Sequence, residues 1–166
     1  MNTTLERLAA EIGLDEPSHE RLKLQFAFSC VSRVEYLLEE SDVIACLQTL
    51  GRYLDGEIEQ SVLEQVRVTA NTLANQHRGS KSIDGCGHAA VSASYAVANA
   101  CNGKALQAAS YAAYAKIYAD GGYGAVADRE AFEPEFSWQV GKLRALTQHT
   151  GAHEKQIVGT NVAGVA

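Results

Sequence analysis

Residues 83–120 of the chain read IDGCGHAAVSASYAVANACNGKALQAASYAAYAKIYAD. Two blocks of helix length, rich in Ala, Ser, Cys and Tyr, stand on either side of the short break Asn102-Gly103-Lys104. Ala is the strongest helix former because it loses no side-chain entropy, and small side chains allow two backbones to approach closely. This stretch therefore predicts an Ala-rich hairpin of two closely packed helices at the centre of the fold.

The segment before this hairpin begins with two further helical patterns. Thr3 and Glu6 have the spacing of a capping box, which predicts a short first helix. Pro17 opens a longer one that carries apolar residues on two faces as far as Leu38. Such a pattern indicates a helix that is buried on both sides.

Two more helices are predicted between residues 41 and 77. Ser41 or Asp42 is placed to cap a third helix that runs to about Leu54. The fourth has the clearest amphipathic pattern in the chain, because apolar residues recur at spacings of three and four. Its predicted inward stripe comprises Ile58, Val62, Val66, Ala70, Leu73 and His77.

The last part of the chain contains a glycine-rich segment and one more helix. Gly121-Gly122-Tyr123-Gly124 predicts a flexible link, and a last helix is expected from about Phe132–Pro134 to about Thr150. No run alternates with the period of a β-strand. We therefore predict an all-α, single-domain bundle of six to seven helices with the Ala-rich hairpin at its centre.

The composition is that of one globular domain. The chain has 166 residues, of which 46% are hydrophobic and 20% are charged. Residues 1–13 lack the features of a secretory signal, and no apolar run reaches the ~18 residues that a bilayer requires. We therefore expect a cytoplasmic protein without a membrane-spanning segment. Its domain is expected to cover residues 1–150, and residues 151–166 form a tail that frays or docks as a short apolar strap.

Charge is distributed unevenly along the chain. Residues 1–67 hold thirteen acidic and six basic residues, a balance of −7, whereas residues 68–166 have a balance of +1. Contact with phosphates needs clustered Lys and Arg, so this pattern excludes nucleic acid and favours a basic protein partner. The candidate partner-binding residues form two acidic groups: Glu35, Glu39, Glu40 and Asp42, then Asp55, Glu57 and Glu59. A solvated loop is the alternative explanation for the first group.

The most suggestive motif for catalysis is Gly85-Cys86-Gly87-His88. Asp84 is placed to cap a helix, which would put Cys86 in its first turn, a position that favours the reactive thiolate. Cys86 and His88 stand two positions apart and so on different helix faces, which means that a base would have to come from elsewhere. The alternative explanation is a small buried Cys with a His that caps the helix or bonds in the core.

Other ligand patterns are sparse. No two of the candidate metal ligands have the i, i+4 or C-x-x-C spacing that pre-positions them, so we expect no metal and no cofactor. These candidates are His77, Cys86, His88 and Cys101. The four cysteines of the chain lie far apart, which predicts reduced and mostly buried thiols.

Three tyrosines share one face of the second Ala-rich helix, Tyr111, Tyr114 and Tyr118. Tyr combines an apolar ring with a polar tip, so a tyrosine stripe suits the lining of a ligand groove or a protein-binding surface. The same stripe also suits core residues whose hydroxyls reach the surface. Both interpretations remain open.

The order of several motifs resembles one protein family. LQFAFSCVSRVEYLLE at Leu24–Glu39 is followed by Gly-Glu-Ile at Gly56–Ile58, then by Gly87-His88-Ala89-Ala90, and then by Trp138-Gln139 with Leu143. This order resembles the immunity proteins of the Imm5 type from bacterial polymorphic toxin systems, over about residues 22–146. The resemblance implies a small all-helical protein that neutralises a toxin by binding it, without catalysis. It marks as landmarks Glu39, His88, Trp138 and Gln139.

These observations leave three hypotheses for the function. The first is an immunity protein that binds a basic toxin through its acidic first half. The second is a small helical enzyme, dependent on a metal or another ligand and centred on Cys86 and His88. Its candidate pocket comprises Cys86, His88, Tyr111, Tyr114, Tyr118, Trp138 and Gln139. The third is a structural homo-oligomer in which exposed Ala faces pack between subunits.

Overall fold

A computed structural model describes residues 1–76 and 86–159, with the backbone alone at Cys86 and over residues 150–159. This part of the chain forms seven α-helices and no strand, which confirms the predicted all-α, single-domain bundle. The helices are α1 Thr3–Glu11, α2 Glu20–Ser32, α3 Ser41–Leu54, α4 Gln60–Gln76, α5 Cys86–Cys101, α6 Ala105–Ala127 and α7 Glu133–Gly159. Short 3₁₀ turns occupy Pro17–His19, Glu35–Leu37 and Glu130–Phe132. None of the described helices has the length and apolar character needed to cross a membrane.

The hairpin of α5 and α6 is the predicted Ala-rich pair. Gly103 lies in the turn between them with a φ of 70°, in the left-handed region that glycine tolerates best. Its N–H donates to the carbonyl of Ala100, and the N–H of Lys104 donates to that of Asn99. These bonds satisfy carbonyls at the end of α5. The alanines that the hairpin buries completely include Ala93, Ala96, Ala108, Ala109 and Ala112.

Helix α2 packs against α3, α5, α6 and α7, and it is buried on two faces as predicted. The predicted continuation of this helix to Leu38 is wrong, because α2 ends at Ser32 and a 3₁₀ turn follows. The hydroxyls of Ser29 and Ser32 donate to carbonyls one turn earlier, at 2.8 Å in both cases. Such local bonds compete with regular helix geometry and weaken the last turn of α2.

Two predicted helix caps are also wrong. Asn2 caps α1 in place of Thr3, because its Oδ1 accepts a 3.1 Å hydrogen bond from the N–H of Leu5. Helix α3 begins without a side-chain cap, so Ser41 and Asp42 both lie inside its first turn. Asp42 still lies where the helix dipole favours a carboxylate.

The inward stripe of α4 is offset from the predicted one. Leu63, Ala70 and Ala74 are buried, whereas Val62 is 39% exposed. Because α4 lies between α3 and α5, its buried arc follows both neighbours and not the single line of the sequence pattern. Ile58 precedes the helix, and the predicted contribution of His77 lies outside the described residues.

The glycine-rich segment is a kink and not a link. Helix α6 passes through it to Ala127, and only Gly122 departs from helical geometry, with φ 62° and ψ −154°. The last helix, α7, continues to Gly159, past the end near Thr150 that the sequence predicts. Residues 160–166 of the predicted tail lie outside the described residues.

Candidate functional site

The two acidic groups lie at opposite ends of α3 and together form what we call the acidic face: Glu35, Glu39, Glu40, Asp42, Asp55, Glu57 and Glu59. All of them are exposed except Glu40, which is half-buried. One exposed edge of α3 joins the groups through Asp42, Ala45, Gln48 and Arg52. These residues recur at spacings of three and four, so they form a continuous line along the helix. The 14 residues of α3 correspond to a length of about 21 Å.

The acidic face also contains an aromatic residue that the sequence analysis did not single out. Tyr36 lies in the 3₁₀ turn next to Glu35 and is 65% exposed. Interfaces are enriched in Tyr because its ring supplies apolar area and its hydroxyl supplies a hydrogen bond. In the sequence, Tyr36 stands between Glu35 and Glu39 and does not belong to the apolar stripes of the predicted helix.

A row of aromatic rings brings together part of the candidate pocket. The ring of His88 stacks on Tyr118, with 5.5 Å between centroids, and meets the edge of Tyr123 at 5.0 Å. Tyr118 neighbours Tyr114 at 6.4 Å, and Tyr114 meets the edge of Phe132 at 5.1 Å. The row therefore extends from the start of α5 across α6 to the turn before α7.

Two other candidate pocket residues lie away from this row or outside the description. Tyr111 stacks on Tyr95 with 5.3 Å between ring centroids and is 38% exposed. Cys86 begins α5, two positions before His88, and its side chain lies outside the described part of the structure.

Trp138 belongs to a charged arrangement that the sequence analysis missed. The guanidinium carbon of Arg33 lies 4.1 Å from the centroid of the Trp138 ring. The same guanidinium binds the carboxylate of Glu135 through Nε and Nη2, at distances of 2.8 to 3.1 Å. The hydrogen bonds with Glu135 raise the pKa of Arg33. This arrangement fixes the end of α2 to α7.

Gln139 is completely buried and joins three elements of the fold. Its Nε2 donates to the carbonyl of Ala109 at 2.9 Å, and its Oε1 accepts from Nδ2 of Asn2 at 3.1 Å. Asn2 also donates to the carbonyl of Phe136. Gln139 therefore acts as a structural anchor between the start of α1, α6 and α7.

The cysteines with described side chains, Cys30, Cys46 and Cys101, are free and buried, as the sequence predicts. Burial raises the pKa of the Cys30 thiol, and it raises that of Cys101 to about 12. Such thiols are inert because the thiolate is the reactive form. Among the side chains that the structure describes, no three His, Cys, Asp or Glu residues are grouped to hold a metal ion.

A cleft of about 520 Å³ opens between the start of α1, the kinked end of α6 and α7. Tyr114, a candidate pocket residue, lines it together with residues that the sequence analysis did not select, including Arg129, Phe132 and Arg144. The lining comes from three separate stretches of the chain, residues 1–4, Tyr114 and residues 126–144, so no local motif predicts the cleft.

Neither a protein-family model, a curated protein nor a solved structure matches this chain.

Proposed function

We propose that this protein is an immunity protein of the Imm5 type, which neutralises a bacterial toxin by binding it directly through the acidic face. The observation that carries the proposal is that one exposed edge of α3 connects the two acidic groups, and that its one cation, Arg52, is paired with Glu57. Carboxylates at both ends of α3 are joined by one exposed helix edge about 21 Å long. A toxin domain with a basic surface of similar length would contact both acidic groups at once, and complementary charge accelerates such an encounter.

Tyr36 gives the proposed interface an anchor. Few residues carry most of the energy of a protein interface, and exposed tyrosines are frequent among them. At 65% exposure, the Tyr36 ring is available for burial by a partner next to Glu35. The carboxylates then govern the rate and orientation of association, whereas Tyr36 governs the lifetime of the complex.

The proposal expects a toxin gene beside the gene of this chain, and the toxic domain of that toxin is the partner for the test. The measurement is the association rate at low and at physiological ionic strength. The variant carries three charge reversals, Glu35→Lys, Glu39→Lys and Asp42→Lys. We expect association to slow by about tenfold or more and to lose most of its salt dependence. Glu40 is left unchanged because its side chain is half-buried.

A matched control changes the same number of charges elsewhere, with Glu11→Lys, Asp15→Lys and Glu130→Lys at three exposed positions. Equal slowing by this control would assign the effect to net charge and contradict the role of the acidic face. Absence of any complex with the toxic domain, and of any protection of cells that express it, would refute the proposed function itself.

Tyr36→Ala tests the anchor separately. We expect dissociation to accelerate by about 30-fold, the effect of losing an interface residue worth about 2 kcal/mol, with little change in the association rate. Tyr111→Ala is the control, because Tyr111 is also partly exposed but stacks on Tyr95 and is not one of the residues of the acidic face. Equal acceleration in both variants would contradict the anchor role of Tyr36.

A further inference from the structure

The cleft between α1, α6 and α7 has the size of a small-molecule site. Its volume of about 520 Å³ lies within the roughly 300 to 1,000 Å³ that ligand pockets occupy. Its walls are fixed, because Asn2 binds the backbone of Phe136 and the side chain of Gln139 from the start of α1. The kink at Gly122 turns the end of α6 so that Val126 joins the lining.

One part of the cleft is apolar and aromatic. Tyr114, Phe132 and Phe136 form a continuous row, with ring centroids 5.1 and 5.3 Å apart. Val126 and Val140 line the same space. An apolar group of a ligand would therefore find aromatic and aliphatic contacts here.

The charged lining is predominantly basic in a chain whose net charge is −6. Arg129 and Arg144 line the cleft, and neither forms an ion pair with a described side chain. Glu133 is the opposing carboxylate, and it lies in the first turn of α7, where the helix dipole favours it. Arg144 lies eleven positions after Glu133, about 16 Å further along α7, whereas Arg129 lies four positions before Glu133.

Backbone donors add to this basic character. Thr3 and Thr4 are the first two residues of α1 and line the cleft. N–H groups at these positions have no acceptor within their own helix. They and the positive end of the helix dipole suit an anionic oxygen.

We propose that this cleft binds a small amphipathic anion, an organic acid or phosphate ester whose apolar body lies on the aromatic row. The positive charges of Arg129 and Arg144, which lie at different ends of the cleft, and the N–H groups of Thr3 and Thr4 attract the anionic head. The site is separate from the acidic face, so it does not depend on the proposed binding of a toxin.

The test uses two fluorescent probes with the same aromatic body. 1-Anilinonaphthalene-8-sulfonate is anionic, whereas N-phenyl-1-naphthylamine is its uncharged counterpart. We expect the sulfonate to bind saturably, with one site per chain, and to be displaced by decanoate or decyl phosphate but not by decanol. Arg129→Gln together with Arg144→Gln should weaken sulfonate binding by about tenfold or more and change binding of the uncharged probe by less than about twofold. Glu133→Gln should strengthen sulfonate binding.

A second pair of variants tests the location of the site. Gly141 lines the cleft, and a Cβ built there has no neighbouring side chain within 4 Å. Gly141→Leu therefore places a large side chain in the cleft. The same change removes a glycine from a helix, which does not weaken the helix. Gly124→Leu is the control, because Gly124 has equally open surroundings but does not line the cleft. Gly141→Leu should abolish binding of both probes, and Gly124→Leu should leave it unchanged. Equal binding in these two variants, an equal loss of both probes on removal of the arginines, or no saturable binding would overturn the proposal.

Discussion

Nη2 of Arg33 donates to Oε2 of Glu135 over 2.8 Å, although the Glu135 side chain is only 1% exposed. The Nε of Arg33 contacts both oxygens of the same carboxylate, and the Trp138 ring covers the guanidinium at 4.1 Å. A carboxylate so far removed from water is tolerated only when its charge is paired and hydrogen-bonded. The ion pair between Arg33 and Glu135 therefore controls how α7 packs on the end of α2.

Arg33→Ala should be strongly destabilising because it leaves the Glu135 carboxylate buried without its partner. We expect the free energy of unfolding to fall by about 3–5 kcal/mol, measured by urea denaturation. Arg52→Ala is the control, since Arg52 and Glu57 form an exposed pair whose loss costs less than about 1 kcal/mol. The double variant Arg33→Met with Glu135→Leu should recover most of the stability, because it removes both charges together. A loss for Arg33→Ala no larger than for Arg52→Ala would contradict this account.

Asn2→Ala should destabilise α1 and its attachment to α7 at the same time. The change removes the cap on Leu5 and the donor to the buried Oε1 of Gln139, so we expect a loss of about 2–3 kcal/mol in the free energy of unfolding. Thr3→Ala is the matched control at the position that the sequence predicts as the cap, and it should cost less than about 0.5 kcal/mol. Asn2→Asp keeps the cap but sets a carboxylate oxygen against the acceptor oxygens of Phe136 and Gln139, so it should also be less stable than the unchanged protein.

The parts of the fold that the sequence predicts correctly are those that short segments determine. The Ala-rich blocks form a helical hairpin because alanine favours helix in nearly any surroundings. Helix α5 ends just before Gly103, and the N–H groups of Gly103 and Lys104 donate to carbonyls three and five positions earlier. The burial of α2 on two faces follows equally from the spacing of its own apolar residues. Local information is sufficient for such elements.

The buried polar contacts and the cleft could not be predicted in this way because their partners are remote in sequence. Arg33 and Glu135 are 102 positions apart, and Asn2 and Gln139 are 137 apart. In a single sequence, Glu135 has the pattern of an exposed acidic residue in the first turn of a helix. Its burial depends on how α7 rotates against α2, and no spacing within either helix records that rotation.

Substitution by alanine should change the free energy of unfolding in opposite directions at Gly122 and Gly124, two glycines near the kink of α6. Gly122 has φ 62° and ψ −154°, a conformation that is nearly restricted to glycine, so Gly122→Ala should cost about 1–3 kcal/mol. Gly124 lies in a helical segment where a Cβ meets nothing within 4 Å, so Gly124→Ala should stabilise by about 0.5–1 kcal/mol. Thermal and urea unfolding of both variants measure the difference. Equal effects would mean that the chain continues through Gly122 as a flexible link, as the sequence alone predicts.

The buried thiol of Cys101 should make the protein lose stability in alkaline solution. Burial raises its pKa from 9.0 to about 12, so between these values the unfolded chain releases a proton that the folded chain retains. The free energy of unfolding is unaffected below about pH 9 and falls above it, by up to about 1.4 kcal/mol per pH unit for each such thiol. Cys101→Ala should therefore reduce the slope of stability against pH between about pH 9 and pH 10.5. Ser94→Ala removes a buried group that does not titrate, so it should leave the slope unchanged, and equal slopes in both variants would contradict the assignment.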